Sequence, residues 1–289
     1  MREKVFSGKS FDGLDLFGRY WIPDDELKGV IAIVHGLGDH SGRYGSWARR
    51  FNEQHYGVIS IDLRGHGKSE GKRGHASRYK NLLKDVEVLV QKAIYFFPNI
   101  PVFLYGHSLG GNLAINYILS GNEKPYGLIV TSPWLKLAMP ITPLELMLAS
   151  AVRYLYPSLL VNNKVNPANL SHDLEECRMY REDDLVHDRI SVRLFFDIQR
   201  HGLLAQKSIY KINIPLLVMH GDKDRVTSHE ASQEFVQNTS KKTTFRIFRG
   251  MYHELHHELN NDEVFHFIHE WLEEVNLKVP EKIKADGYF

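Results

Sequence analysis

The sequence predicts an α/β fold: a mostly parallel central sheet with helices on both faces and an inserted helical cap. Two observations point to it. Short apolar runs alternate with amphipathic helical runs, the rhythm that builds parallel strands joined by crossover helices. From about Leu135 to Ala205 the rhythm stops, and a helical, proline-punctuated segment intervenes before Pro215 restarts it. The expected division is therefore a core in two parts, residues 1–134 and 206–289, with a cap at 135–205. A chain of 289 residues is long enough for one such domain with an insertion.

Taken in order, Lys4 to Ile22 reads as an antiparallel hairpin turning at Asp12-Gly13. Gly29 to Val34, Gly57 to Asp62, Pro101 to Tyr105, Gly127 to Thr131, Pro215 to Met219 and Thr244 to Phe248 are the candidate strands of the sheet. Most are apolar throughout, as strands buried on both faces must be. Helices are expected over Tyr79 to Phe97, Gly110 to Leu119, Glu230 to Thr239 and Asp262 to Val275. In the last, Val264, Phe265, Ile268, Trp271, Leu272 and Val275 share one face at i, i+3, i+4 spacing, a stripe for the core. Leu144 to Val161 opens the cap, and its Glu145 and Arg153 argue against a membrane span. A charged tail runs from Asn276 to Phe289.

Composition narrows the classes. Hydrophobic residues at 43% and charged residues at 25% are ordinary globular values, excluding disorder and fibrous repeats. A net charge of +1 provides no field to gather nucleic acid. The single cysteine, Cys177, has no partner for an intramolecular disulfide or a thiolate metal site, and is expected as a packed thiol. The stretch Met1-Arg2-Glu3-Lys4-Val5 lacks the apolar core of a signal peptide, and no run approaches the ~20 apolar residues that span a bilayer. A cytoplasmic protein is expected.

Chemistry concentrates at strand ends. Gly106-His107-Ser108-Leu109-Gly110-Gly111 is a G-x-S-x-G pattern between an apolar strand and a helix. A sharp strand-to-helix turn strains the serine backbone, exposes its hydroxyl above the sheet, and aims helix N-terminal amides at the place where an oxyanion forms. In such a turn one oxyanion donor is the amide after the nucleophile, here Leu109, and the second comes from the loop after the first parallel strand. That loop is His35-Gly36-Leu37-Gly38-Asp39-His40, and Leu37 is the expected donor. The loop Asp62-Leu63-Arg64-Gly65-His66-Gly67-Lys68-Ser69 reads as structural.

An acid and a base follow in the order serine, aspartate, histidine that this turn requires. The run Pro215 to Met219 breaks into a loop carrying Asp222 and Asp224, and spacing leaves both open for the acid role. His253, His256 and His257 follow the last strand, and an imidazole near pKa ~6.5 can take and return the serine proton at neutral pH. His253-Glu254-Leu255-His256-His257 also matches H-E-x-x-H, a zinc signature that needs both outer histidines one turn apart on a helix. Here the first histidine follows a strand and a glycine, where a loop is expected, so no metal is assigned.

Together these residues carry a resemblance. His35-Gly36-x-Gly38 with Ser41-Gly42-Arg43-Tyr44, Asp62-x-Arg64-Gly65-His66-Gly67-x-Ser69, Gly106-His107-Ser108-Leu109-Gly110-Gly111, His220-Gly221-x-x-Asp224 and Tyr252-His253 resemble the monoacylglycerol lipase and lysophospholipase family of α/β-hydrolase-fold serine hydrolases. The resemblance implies Ser108, Asp224 and His253 as the catalytic triad and a cofactor-free hydrolysis. It implies a cap that forms an acyl-binding cleft, with Met139, Leu146, Met147, Val152 and Leu155 as lining residues, and transient association with membrane surfaces. The expected substrate is a lipid or small ester, foremost a monoacylglycerol, with a lysophospholipid or a general carboxylic ester as the alternative. Oligomeric state stays open.

Overall fold

The computed structural model describes residues 1–121, 125–139, 142–237 and 242–278, without the side chains of 143–146 and 148. The strands are β1 (Arg2–Lys9), β2 (Asp15–Ile22), β3 (Gly29–Val34), β4 (Tyr56–Ile61), β5 (Val102–His107), β6 (Gly127–Thr131), β7 (Leu160–Asn162), β8 (Arg189–Ser191), β9 (Leu216–Gly221) and β10 (Thr243–Phe248). Eight of them form one sheet in the order β1-β2-β4-β3-β5-β6-β9-β10, while β7 and β8 pair separately. The β1–β2 hairpin and the β2–β4 pair are antiparallel, and every other pair of the large sheet is parallel. Each expected strand lies within two residues of its place.

Eight helices occur among the described residues: α1 (Gly45–Glu53), α2 (Tyr79–Phe96), α3 (Leu109–Leu119), α4 (Pro143–Leu155), α5 (Leu174–Glu182), α6 (Val192–Ser208), α7 (His229–Gln237) and α8 (Asn261–Asn276). Side-chain alternation along the buried strands divides the core between the two faces. On β3, Val30, Ala32 and Val34 join the cluster packed by α2, α3, α6 and α7, while Ile31 and Ile33 join the one packed by α1 and α8. The sequence reading missed α1, a short helix rich in polar residues whose Trp47, Ala48 and Phe51 nonetheless make a buried stripe. The end of the helix expected at Glu230 to Thr239, and the tail beyond 278, lie outside the described residues.

Between β6 and β9 the chain adds no strand to the main sheet. It forms α4, the β7–β8 pair and α5, then returns along α6, whose Leu194, Ile198 and Ala205 pack in the same core as α3.

One buried ion cluster ties the hairpin end of the sheet to α2. Arg64 donates from Nε and Nη2 to the two oxygens of Asp85 at 2.7 and 2.8 Å, and from Nη1 to Asp12 at 2.7 Å. Asp85 is fully buried, and burial pushes its carboxyl upward against the opposing pull of Arg64. Removing one member of a buried pair leaves the other charge uncompensated, so Arg64→Leu is expected to cost about 3–5 kcal/mol. Urea unfolding followed by tryptophan fluorescence checks this, and a loss under 1 kcal/mol would refute it.

Candidate active site

Ser108 sits at the junction of β5 and α3 with φ 54° and ψ −116°, left-handed backbone that a side-chain-bearing residue adopts only at a cost. The flanking glycines make the turn possible. A Cβ on Gly110 would come 2.0 Å from the Val34 carbonyl oxygen, and one on Gly106 would come 2.4 Å from the Gly110 carbonyl oxygen. Any larger residue would push the turn off β3 and prevent the helix from starting where it does. The Ser108 amide donates to Thr131 O at 3.0 Å, tying the turn to β6.

Asp224 lies in the loop after β9 and carries a dense set of donors. His253 Nδ1 is 2.7 Å from Asp224 Oδ2, His220 Nε2 is 2.9 Å from the same oxygen, and Thr227 Oγ1 is also 2.9 Å from it. The amides of Val226 and Thr227 donate to Oδ1 at 2.7 and 3.0 Å. Burial works to raise this carboxyl, but the His253 charge and the bonds from His220 and His253 outweigh it and hold Asp224 well below the ordinary carboxylate range. Asp222, its rival from spacing, instead accepts the Gly250 amide at 2.7 Å and pins the turn before His253.

His253 is buried on the loop after β10, and its carbonyl accepts from Ser132 Oγ at 2.7 Å. Burial alone would lower its pKa; the Asp224 charge and hydrogen bond overcome that and raise it above the free-imidazole value. His107, 4.8 Å away ring to ring, has no such partner and is pushed down to about 3, chiefly by burial. The two neighbouring histidines are thereby made different: one is basic, one is a neutral packing element.

Leu109 is the first residue of α3, so its amide has no acceptor within the helix. Leu37 lines the cavity beside Gly36, where a Cβ would come 3.5 Å from the Ser108 Cβ. His35 fixes this second peptide. Its Nε2 accepts from the Leu63 amide at 2.9 Å, so Nδ1 carries the proton and donates to Gly36 O at 2.8 Å. In a trans peptide the N–H points opposite to the carbonyl, so holding Gly36 O turns the Leu37 amide the other way. Nothing in the sequence distinguished this work of His35 from an ordinary core histidine.

A cavity of about 510 Å³ contains Ser108 and His253 in its wall. Trp134, Leu137, Ala149, Val192 and Phe195 are among its apolar lining residues, and its polar ones include Asp39, Tyr180, Glu254, Arg225 and the asparagines of the 162–169 segment. Of the residues expected to line it, Met139 does. Met147, Val152 and Leu155 are a correction: α4 turns Ala149 to the cavity, leaves Met147 and Leu155 63% and 74% exposed, and holds Val152 half-buried outside the lining. The side chain of Leu146 lies outside the described residues.

The H-E-x-x-H residues take other work. Leu255–His257 is a single 3₁₀ turn, His253 Nδ1 is held by Asp224, and Arg43 donates to both oxygens of Glu254 at 2.9 and 2.8 Å. Glu254, His256 and His257 do place ligand atoms within 4.8 Å of one another. However, the guanidinium sits on Glu254 and lies 3.0 Å from His257 Nδ1, which puts a fixed cation where a metal ion would go. The cap is also bonded to this loop: the Glu254 amide donates to Leu170 O at 2.8 Å, and Ser171 Oγ donates to His257 O at 2.6 Å.

A family model described as Serine aminopeptidase, S33, matches residues 25–260. An uncharacterized abhydrolase domain-containing protein of Dictyostelium discoideum is 36% identical over 261 residues, 89% of this chain, and the chain spans 27% of that longer protein. Human monoglyceride lipase is 33% identical over 271 residues, 90% of this chain and 88% of that one. The crystal structure of Paleococcus ferrophilus monoacylglycerol lipase, 30% identical, superposes with a TM-score of 0.80 over 95% of this chain and 100% of that one. Fold and site define a serine ester hydrolase of the α/β-hydrolase fold. Within that class, the chain belongs to the monoacylglycerol lipase family.

Proposed function

We propose that the protein releases the fatty acid from monoacylglycerols through an acyl-enzyme on Ser108. His253 takes the Ser108 proton, the serine oxygen attacks the ester carbonyl, and the Leu37 and Leu109 amides hold the oxyanion. His253 returns the proton to the glycerol oxygen, which leaves. It then takes a proton from water, which cleaves the acyl-enzyme and frees the acid. Asp224 holds the imidazole in the tautomer this needs and offsets its charge. The reaction calls on no cofactor.

The observation that carries this reading is the cavity, whose wall joins Ser108 and His253 to large apolar side chains and to the polar Asp39, Tyr180 and Glu254. An ester with a long apolar acyl part and a small polar alcohol matches both sets of residues. The names of the monoglyceride lipase relatives favour the same substrate.

Residues 135–205 act, on this reading, as the cap that supplies much of the apolar wall. No helix among the described residues is long and apolar enough to cross a membrane. The exposed Met147, Tyr154, Leu155 and Tyr156 give the cap an apolar outer surface suited to transient contact with a lipid surface.

Fatty-acid release from a monoacylglycerol and from a lysophospholipid of the same acyl chain, with Ser108→Ala as the blank, tests the proposal. Strong preference for the monoacylglycerol is expected. Preference for the lysophospholipid would move the specificity to a charged head group, and no release from either would refute a lipid substrate.

A further inference from the structure

The polar side of the cavity carries an unusual charge balance. Behind its lining lies Arg43, with a side chain only 7% exposed and a guanidinium 4.8 Å from the Tyr180 ring centre. A buried arginine behind the wall of such a cavity would ordinarily be an anchor for a phosphate-bearing head group. Here both oxygens of Glu254 take up its Nη1 and Nη2, and Asp39 Oδ1 lies 3.3 Å from Nη1. Glu254 is held well below the ordinary carboxylate range: burial opposes ionisation, but the Arg43 charge and its hydrogen bonds prevail. Asp39 also falls below its ordinary value, with Arg43 prevailing over burial.

His257 Nδ1 is 2.7 Å from Glu254 Oε2, and its Nε2 is 3.7 Å from Glu176 Oε2. Three carboxylates therefore face one guanidinium and one imidazole, and the cluster is net negative in either state of His257. The cavity's other cationic lining residues, Lys164 and Arg225, are exposed, where salt screens them.

The leaving group must come to this side. His253 hands its proton to the leaving oxygen, and Glu254 is the next residue in the chain and lines the same cavity with Asp39 and Tyr180. We propose that Glu254 is a specificity-determining residue: by occupying Arg43 it keeps the head-group side of the cavity negative, admitting neutral polyol leaving groups and rejecting phosphate-bearing ones. The inference rests on the serine ester hydrolase reading above and deepens it. It assigns the rejection to a repulsive element, an unneutralised carboxylate excess, rather than to a better fit for glycerol.

The experiment compares kcat/KM for a 1-acylglycerol, the 1-acylglycerol 3-phosphate and the p-nitrophenyl ester, all of one acyl chain in the same mixed micelles. The wild type is expected to favour the acylglycerol over its phosphate by roughly 10²-fold or more. Glu254→Gln, which removes one of the three carboxylates and takes the bidentate partner from Arg43, should narrow that ratio at least about tenfold. The double variant with Arg43→Met should restore it. The p-nitrophenyl ester reports acylation independently of head-group charge, so a general loss from a displaced His253 divides out. Wild-type rates on the two glycerol substrates within threefold of each other, or an unchanged ratio in Glu254→Gln, would overturn the inference. If Glu254→Gln fails to fold, the wild-type ratio and Asp39→Asn, which is expected to shift the ratio in the same direction, still decide it. A wild type inactive on all three substrates would instead remove the hydrolase reading on which the inference stands.

Discussion

Ser108→Ala is expected to lower kcat for an ester substrate by roughly 10⁵-fold, because triad members act as a unit and the loss of one forfeits most of the gain from all three. The activity expected to remain is that of the proposed oxyanion amides of Leu37 and Leu109, which the substitution leaves in place. The backbone makes a second outcome separable from the first. At φ 54° and ψ −116° a Cβ is strained, and alanine keeps that strain while glycine releases it. Ser108→Gly should therefore be more stable than Ser108→Ala by about 1 kcal/mol while equally inactive. Thermal unfolding of the two variants beside single-turnover hydrolysis checks both statements. Retention of more than a tenth of the activity in either variant would remove Ser108 from the nucleophile's role, and equal stability would mean that the turn relaxes without it.

The parts of this site that a sequence displays are those determined locally. Gly106, Ser108 and Gly110 are spaced by the turn itself, so the strained serine could be read before any tertiary contact was known. The sheet was legible for the same reason: β3 and β5 are buried on both faces, and a strand of that kind is apolar at every position. Pairings between distant segments were not legible. Arg43 and Glu254 stand 211 residues apart, and each belongs to a motif with another apparent meaning, one a loop signature and the other a zinc pattern. Asp222 and Asp224 are alike in spacing, and only the folded loop gives one to Gly250 and the other to His253. On the cap, bulk was a poor guide. Met147 and Leu155 are large and apolar but face outward, while the small Ala149 faces the cavity, because rotation along α4 and not residue size decides which side chain reaches it.

Asp224→Asn is expected to cost about 10⁴-fold in kcat, through the tautomer of His253 more than through lost structure. In the wild type, Asp224 Oδ2 accepts from His253 Nδ1, which leaves Nε2 free of its proton, as the proposed transfer from Ser108 requires. An asparagine that turns its amide nitrogen toward His253 presents a donor to Nδ1 and moves the imidazole proton to Nε2, the wrong side. If it turns the other way, its nitrogen meets the amides of Val226 and Thr227, two donors that now lack an acceptor, at about 1–3 kcal/mol for a buried unsatisfied group. The pH dependence distinguishes this account from a merely structural role. The proposed mechanism needs neutral His253, so kcat/KM should rise with pH, with a midpoint above the free-imidazole value because Asp224 stabilises the charged form. Without that carboxylate, burial is the dominant influence left, and it favours the neutral ring. The residual activity of Asp224→Asn should therefore have its midpoint at lower pH than the wild type, even as its plateau falls by orders of magnitude. A midpoint that stays in place when Asp224 is neutralised would mean that the titrating group is not His253.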